Sequence, residues 1–279
     1  MVIFTGQVST PLIGNDAFQE VDIIGITRPC TKHNFLVKDV KDLAETVRKA
    51  FYLARSGRPG PVLVDIPKNI QQASCEFIWP EDVVMRSYCP TFRANLNQLR
   101  RAMDVLVTSR KPLIVAGGGV IMANAAEELC TLAHLMHAPV CSTLMGLGAF
   151  PGDDPLWIGM LGMHGTFAAN RAVTQADVIL AVGARFDDRV TGKLSQFAPN
   201  ARIVHIDIDP TTLRKNVRVE VPVVSDALSA LQGLRSILES GHAQKDWAGD
   251  HADWMGQVLE WQKEHPLSWA KGDVLKPQQ

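Results

Sequence analysis

The chain of 279 residues is 46% hydrophobic and carries a formal net charge of −1 at pH 7. This length and apolar content suffice for about two domains with ordinary cores. Because the Lys and Arg residues are scattered and nearly balanced by acids, the sequence argues against a nucleic-acid partner.

Targeting and cysteine patterns narrow the class of protein further. No apolar run reaches the roughly 18 residues that a spanning helix needs, and the start, MVIFTGQVST, lacks the basic segment of a signal peptide. We therefore expect a cytoplasmic protein without a membrane partner. The five cysteines are never spaced C-x-x-C, which argues against a disulfide framework or a zinc ribbon.

The first segment, residues 1–73, has the pattern of an α/β domain with parallel strands. Residues 2–5 and 62–66 are short apolar runs, which are typical of buried strands. Between them, residues 40–56 repeat apolar side chains at the spacing of an amphipathic helix. The periodicity then lapses, and we interpret residues 74–94 as a linker between domains.

A second domain is predicted over residues 95–238. Residues 96–108 form an amphipathic helix, and a glycine turn at 117–119 leads into another helix at about 123–136. Five short apolar runs alternate with helices and are predicted strands: 112–116, 140–143, 178–182, 202–208 and 221–224. This alternation predicts a doubly wound, Rossmann-like parallel sheet.

Two of these strands end in residues suited to a ligand. Buried parallel strands that stop at Gly or Asp open onto a crevice at their carboxyl ends. Gly183 allows close backbone approach, and Asp207 and Asp209 can accept hydrogen bonds from ribose hydroxyls. The alternative is that these acids, with Asp187 and Asp188, are ordinary polar loop residues. The turn at 117–119 likewise either holds a diphosphate at a helix N-terminus or is merely tight.

Two periodic features call for simpler interpretations. His134 and His137 lie three apart near a helix end, but no third ligand is near in sequence. We expect a surface or helix-terminal role for them and no metal site in the chain. Trp247, Trp254 and Trp261 recur every seven residues, which predicts one helix face packed on a neighbouring domain.

Several blocks, in order along nearly the whole chain, resemble the large, catalytic subunit of acetolactate synthase, also called acetohydroxyacid synthase. The blocks are residues 6–8 (GQV), 16–20 (DAFQE), 31–34 (TKHN), 57–68 (GRPGPVLVDIPK), 144–148 (LMGLG), 160–166 (MLGMHGT), 183–193 (GARFDDRVTGK) and 205–209 (HIDID). This family uses thiamine diphosphate to decarboxylate pyruvate and join the two-carbon unit to a second 2-oxo acid. The reaction belongs to valine, isoleucine and leucine biosynthesis.

The resemblance also implies a domain order. Residues 1–73 are then the C-terminal part of a pyrimidine-binding α/β domain, and residues 95–238 are a central, FAD-binding domain. Residues 239–279 become a helical linker toward a C-terminal diphosphate-binding domain that begins near residues 275–278. Members of the family form homodimers or homotetramers, and some bind a small regulatory subunit.

Family roles carry over to individual positions. Phe18 and Gln19 correspond to the wall of the reaction centre, and Lys68 and Arg189 to the channel that admits substrate. The flavin ring is expected to reach toward Phe186 and Met163. The residues implied to contact FAD are Arg58, Gly118, Thr143, Leu144, Leu161, Gly162, Met163, His164, Gly183, Ala184, Arg185, Phe186, Asp187, Asp207, Ile208, Asp226 and Ala227.

Two parts of the family's machinery have no counterpart in these 279 residues. The Glu that activates thiamine is expected upstream, and the Gly-Asp-Gly motif that ties Mg²⁺ to the diphosphate is expected downstream. The pairs at 152–153, 249–250 and 272–273 are Gly-Asp, but Gly does not follow them. We therefore expect a fragment that is inactive by itself. The alternatives are a flavin- or nicotinamide-dependent oxidoreductase and a non-catalytic FAD-binding module.

Overall fold

The computed structural model describes residues 1–241, 244–268 and 272–274. The chain divides into two compact units, which meet in sequence between Pro90 and Thr91. In the described parts of the chain, no helix is both long enough and apolar enough to cross a membrane.

The first unit contains a three-stranded parallel sheet flanked by short and long helices. Its strands are β1 (Val2–Gln7), β2 (His33–Leu36) and β3 (Val62–Pro67), in the spatial order β1-β3-β2. Its helices are α1 (Ile23–Thr27), α2 (Leu43–Arg55) and α3 (Lys68–Gln72). The apolar spacing of α2 places Ala50, Leu53 and Ala54 in the core beside Val62 and Val64. The parallel pairing of β1 with β3 was predicted, whereas β2 was not.

The end of the segment predicted to be a linker packs on the first unit. Tyr88 lies edge-on to the ring of Tyr52 and donates a hydrogen bond to the carbonyl oxygen of Ser56 at 2.9 Å. Its hydroxyl also accepts one from the ammonium group of Lys32 at 2.8 Å. Tyr88 thus holds the end of this segment on the first unit, although the segment lacks periodicity. The first unit accordingly ends at Pro90.

The second unit is built on a six-stranded sheet in which all strands are parallel. The strands are β4 (Pro112–Ala116), β5 (Val140–Ser142), β6 (Trp157–Met160), β7 (Val178–Val182), β8 (Arg202–Asp207) and β9 (Val221–Val224). Their order is β6-β5-β4-β7-β8-β9, so the direction of winding reverses between β4 and β7. Doubly wound sheets bind ligands at the carboxyl ends of the strands beside such a reversal.

Helices cover both faces of this sheet. They are α4 (Leu96–Val107), α5 (Gly118–Met122), α6 (Ala126–Leu135), α7 (Phe167–Gln175), α8 (Asp188–Thr191), α9 (Ala227–Glu239) and α10 (Trp247–Glu264). One core contains buried residues of α4, α6 and α9, and a second contains those of α7 and part of α10. The helix predicted at about 123–136 is α6, and the predicted glycine turn opens a further short helix, α5, that was not predicted. Asn124, in the left-handed conformation (φ 52°), lies between the two helices.

The expectation that the three tryptophans await a neighbouring domain is wrong. Trp247, Trp254 and Trp261 are 8%, 2% and 8% exposed and belong to the cores of the second unit. The indole N–H of Trp254 donates to the carbonyl oxygen of Pro112 at 2.8 Å. The packed part of the unit therefore reaches Glu264 rather than ending at 238. The expected domain start at 275–278 lies outside the described residues.

Candidate functional site

The loops that leave the carboxyl ends of the second sheet lie close together. We call the loops at 117–119, 143–147, 161–165, 183–189, 207–209 and 225–226 the carboxyl-end crevice. The first residue of several of these loops donates its backbone N–H to the neighbouring strand: Gly117 to Val182 (2.9 Å), Gly183 to Ile206 (2.8 Å), Thr143 to Ala116 (2.9 Å) and Leu161 to Ser142 (3.1 Å). The crevice thus combines most of the positions that the sequence assigned to a cofactor.

The glycines at the strand reversal serve first to let two loops touch. A Cβ atom at Gly117 would overlap the carbonyl oxygen of Gly183, and one at Gly183, whose φ is +60°, would overlap Gly119. The Gly119 N–H donates to the Gly183 carbonyl at 3.1 Å, and the Val120 N–H to the Gly117 carbonyl at 3.1 Å. The N–H groups of Gly117 and Gly119 are used in such backbone hydrogen bonds, whereas that of Gly118 takes no part in them. The predicted diphosphate site therefore offers few backbone N–H donors in this turn.

The side chain of Phe186 is not available to a flavin ring, contrary to expectation. It is 1% exposed and packs edge-on against the rings of Phe197 and His205, with centroids 5.7 Å and 5.0 Å away. Its backbone is in the left-handed region (φ 53°), which turns the ring away from solvent into the core. The exposed apolar side chains of the crevice are instead those of Leu144 (69%), Met145 (71%), Leu147 (43%) and Met163 (61%).

His205 supports the same loop from within the sheet. It is fully buried on β8, and its Nε2 lies 2.8 Å from the carbonyl oxygen of Ala184. Burial lowers the pKa of His205 to about 4, although the bond to Ala184 opposes the shift. The ring is therefore neutral at pH 7 and donates a hydrogen bond from Nε2–H. Although Nε2 lies 3.9 Å from an oxygen of Asp207, a neutral ring does not form an ion pair with that carboxylate. Nδ1 of His205 is buried without a hydrogen-bond partner among the described residues.

The acids at the strand ends all have structural partners. Asp207 is 8% exposed, and one of its oxygens accepts the N–H of Asp209 at 2.9 Å. Asp187 caps α8 by accepting the N–H of Val190 (3.2 Å), and Asp226 caps α9. These contacts fit the interpretation of ordinary loop residues. They also leave room for a ligand, because each carboxylate offers about four lone-pair sites.

Two asparagines that the sequence analysis did not identify hold the crevice loops in place. Asn170 accepts the N–H of Gly162 at 2.8 Å and donates to the carbonyl of Gly162 at 3.0 Å. Asn216 donates to the carbonyl of Phe186 at 2.8 Å. Their partners lie 8 and 30 residues away, so no local spacing in the sequence could have indicated these contacts.

Loops 161–165 and 183–189 are also joined directly. The Met163 N–H donates to the carbonyl of Arg189 at 2.9 Å, and a Cβ at Gly162 (φ 96°) would overlap the same carbonyl. Of the remaining assigned residues, some are buried and can reach a ligand only through their backbone, and others expose a side chain. The buried ones are Leu161, Ala184 and Ala227, and the exposed ones are His164, Arg185 and Arg189, whereas Ile208 is intermediate and Thr143 is 9% exposed.

The other assigned residues belong to the first unit. Phe18 is 90% exposed, and Gln19 is in the left-handed conformation (φ 63°). Their loop is closed by Glu20, whose carboxylate accepts the N–H groups of Gly14 and Ala17, so that these bonds lower the pKa of Glu20. Lys68, at the start of α3, and Arg58 are exposed. The sequence-based roles of these residues stay predictions.

His134 and His137 do not act as a pair. Nε2 of His134 lies 2.8 Å from an oxygen of Asp154, and Cys130 is near both. His137 follows the helix in the left-handed conformation (φ 46°). The carboxylate next to His134 thus comes from Asp154 in the turn before β6, and the nearby thiol is that of Cys130 on the same helix.

Comparison with known proteins identifies similar chains. Residues 99–234 match the family described as thiamine pyrophosphate enzyme, central domain. The whole chain is 46% identical to 49% of the acetolactate synthase isozyme 3 large subunit of Escherichia coli strain K12. It is 44% identical to 49% of the acetolactate synthase large subunit of Haemophilus influenzae, and 45% identical to 47% of the probable acetolactate synthase large subunit of Methanocaldococcus jannaschii. The chain thus spans about half the length of the curated relatives it matches.

Proposed function

We propose that the chain acts as part of an acetolactate synthase large subunit. Residues 99–234 match the thiamine pyrophosphate enzyme central domain, and the whole chain is similar to part of such subunits. The observation that carries the proposal is the identity of about 45%, which extends over both units rather than over the central domain alone. A fold shared by many functions would not by itself identify a reaction.

The proposed reaction condenses pyruvate with a second 2-oxo acid, pyruvate or 2-oxobutanoate, with loss of CO₂. Bound thiamine diphosphate supplies the electron sink that decarboxylation needs. The exposed cations Lys68 and Arg189 are suited to attract the carboxylates of the substrates. Phe18, which is 90% exposed, offers an apolar surface of the kind that excludes water from a reaction centre.

We place FAD in the carboxyl-end crevice of the second unit. The site fits the cofactor in three respects: a ribose acceptor at Asp207, a half-buried backbone at Gly118, and exposed apolar side chains at Leu144 and Met163. Phe186 does not contribute its ring. Because the proposed condensation involves no net oxidation or reduction, bound FAD contributes shape and binding energy rather than electrons.

Magnesium, the assembly and the location of the enzyme are further parts of the proposal. The Gly-Asp pairs of this chain are not followed by Gly, so we assign Mg²⁺ binding to the whole enzyme and to none of these pairs. A homodimer or homotetramer, a small regulatory subunit and a cytoplasmic location follow from the family resemblance. An oxidoreductase or a non-catalytic FAD-binding module is not favoured, because the relatives named above are acetolactate synthases.

A segment exchange tests the proposal. The matching half of the E. coli isozyme 3 large subunit is replaced by these 279 residues, and acetolactate formation from pyruvate is measured with thiamine diphosphate, Mg²⁺ and FAD. We expect a working enzyme, and an otherwise identical exchange with Phe18→Ala and Gln19→Ala to be impaired. A hybrid that assembles and binds both organic cofactors but makes no acetolactate would overturn the proposed function.

A further inference from the structure

We propose that Cys130, His134 and Asp154 form a binding site for a thiophilic divalent cation, with zinc as its typical occupant. One ligand atom from each residue lies within 4.8 Å of the other two. The cluster is separate from the carboxyl-end crevice. It joins α6 to the turn that precedes β6, and nothing in the proposed condensation uses it.

The helix supplies two of the ligands with the right spacing. Cys130 and His134 are four residues apart on α6, so their side chains lie one turn apart on the same face. The His134 side chain is half-exposed, which leaves it free to adjust. A thiolate and an imidazole four apart on a helix are a common way to hold two positions of a tetrahedral ion.

The third ligand is held in position before any ion arrives. One carboxylate oxygen of Asp154 accepts the N–H of Leu156 at 2.9 Å, and the carbonyl of Asp154 accepts the N–H of Trp157 at 2.9 Å. The other carboxylate oxygen is the one that lies 2.8 Å from Nε2 of His134. Such outer contacts orient a carboxylate for metal binding and lower the conformational entropy that binding must remove.

The distances and the donor set select the ion. Tetrahedral zinc with ordinary bond lengths separates a nitrogen and an oxygen ligand by roughly 3.3 Å, and a sulfur and a nitrogen ligand by about 3.6 Å. The cluster therefore needs shifts of less than about one and a half ångströms. One sulfur, one nitrogen and one oxygen suit a borderline-soft ion, whereas Mg²⁺ and Ca²⁺ require oxygen ligands.

A divalent cation offsets the Asp154 charge and takes the place of the thiol proton. With three protein ligands the ion keeps a fourth position for water.

Cobalt(II) titration of the whole chain tests the proposal, because cobalt replaces zinc and reports its ligands by colour. The exposed Cys30, Cys75 and Cys89 are changed to Ser to remove competing thiols. We expect one equivalent to bind, with a thiolate charge-transfer band that one equivalent of Zn²⁺ abolishes and excess Mg²⁺ does not. His134→Gln and Asp154→Asn are each expected to weaken binding by roughly tenfold or more.

Matched variants distinguish the cluster from other sites. Cys130→Ser is expected to remove the charge-transfer band, and His137→Gln, one turn further along and outside the cluster, is expected to leave it unchanged. Circular dichroism verifies that each variant folds. Because the His134 side chain is half-exposed, His134→Gln should remove a ligand without disturbing the fold. The proposal fails if no saturable band forms, or if the band persists in Cys130→Ser.

Discussion

The Nδ2 group of Asn216 donates a hydrogen bond of 2.8 Å to the carbonyl oxygen of Phe186, a residue held in the left-handed conformation with φ of 53°. A bulky residue rarely adopts this conformation, and it costs roughly 1–3 kcal/mol unless its surroundings compensate. Here the compensation includes the Asn216 bond and burial of the Phe186 ring between Phe197 and His205.

Asn216→Ala should therefore destabilise the second unit by roughly 1–2 kcal/mol, because the Phe186 carbonyl loses its donor. Urea unfolding followed by tryptophan fluorescence measures the change, and FAD affinity should fall with it. The exposed Asn200→Ala is the matched control and should have no effect. Equal stability of both variants would show that the bond does not hold the loop.

The neutral, buried His205 makes stability depend on pH. Its folded-state pKa of about 4 lies below the ordinary value of 6.5, so the unfolded chain binds the proton more readily. The contribution is complete above about pH 6.5 and is lost as pH falls toward 4. Between pH 7 and pH 5 this amounts to roughly 2 kcal/mol.

The measurement compares urea unfolding of wild type and His205→Gln at pH 7 and pH 5. The wild type should lose more stability than the variant over this interval, by about 2 kcal/mol. Burial and the nearby Lys245 also lower the pKa of His251, but this residue is present in both proteins and its contribution cancels. The exposed His164→Gln serves as control. Parallel losses in wild type and His205→Gln would contradict the assignment.

The packing of α10 predicts which part of the second unit resists proteolysis. The resistant part of the second unit should extend from about residue 91 to residue 264, because Trp247, Trp254 and Trp261 are buried in its cores. Trp254→Ala should cost roughly 3–5 kcal/mol and release the helix. Leu259→Ala, on the same helix but 37% exposed, is the control. Limited proteolysis with mass spectrometry would disprove this docking if the wild-type fragment ended near 238.

The proposed FAD site predicts a specific loss of affinity. Asp207→Ala should weaken FAD binding by roughly 1–3 kcal/mol, since a buried acceptor for ribose is lost. Asp207→Asn separates this effect from loop damage, because its side-chain oxygen can still accept the Asp209 N–H. Equilibrium dialysis measures the affinities, with the exposed Asp188→Asn as control. Equal binding by wild type and Asp207→Ala would remove Asp207 from the site.

Activity of the 279-residue polypeptide by itself is the simplest prediction to check. It should form no acetolactate from pyruvate, even with thiamine diphosphate, Mg²⁺ and FAD. The family resemblance implies that the Glu that activates thiamine is not among these residues, and no Gly-Asp-Gly motif occurs in them. Either loss should remove several kcal/mol of transition-state stabilisation. Turnover that requires both thiamine diphosphate and Mg²⁺ would contradict this expectation.

Much of the sheet could be predicted from local patterns alone. The strands 112–116, 178–182 and 221–224 have the same bounds in the structure as in the sequence-based prediction. Each is largely buried, so its sequence is a nearly continuous apolar run. The missed β6 has only four residues and contains Gly159 in the left-handed conformation, which weakens the pattern of a strand.

The sequence by itself determined the α/β class, the parallel strands, the amphipathic helices and the positions of Gly183 and Asp207 at strand ends. Only the tertiary structure decided what these positions contact: Gly183 packs on Gly119, Phe186 is buried, and the tryptophans of α10 cover their own unit. The physical reason is that periodicity records whether a residue is buried, whereas the partner of a buried residue depends on which distant segment the fold brings to it. Asn216 and Phe186, or His134 and Asp154, become neighbours only when the strands between them have paired.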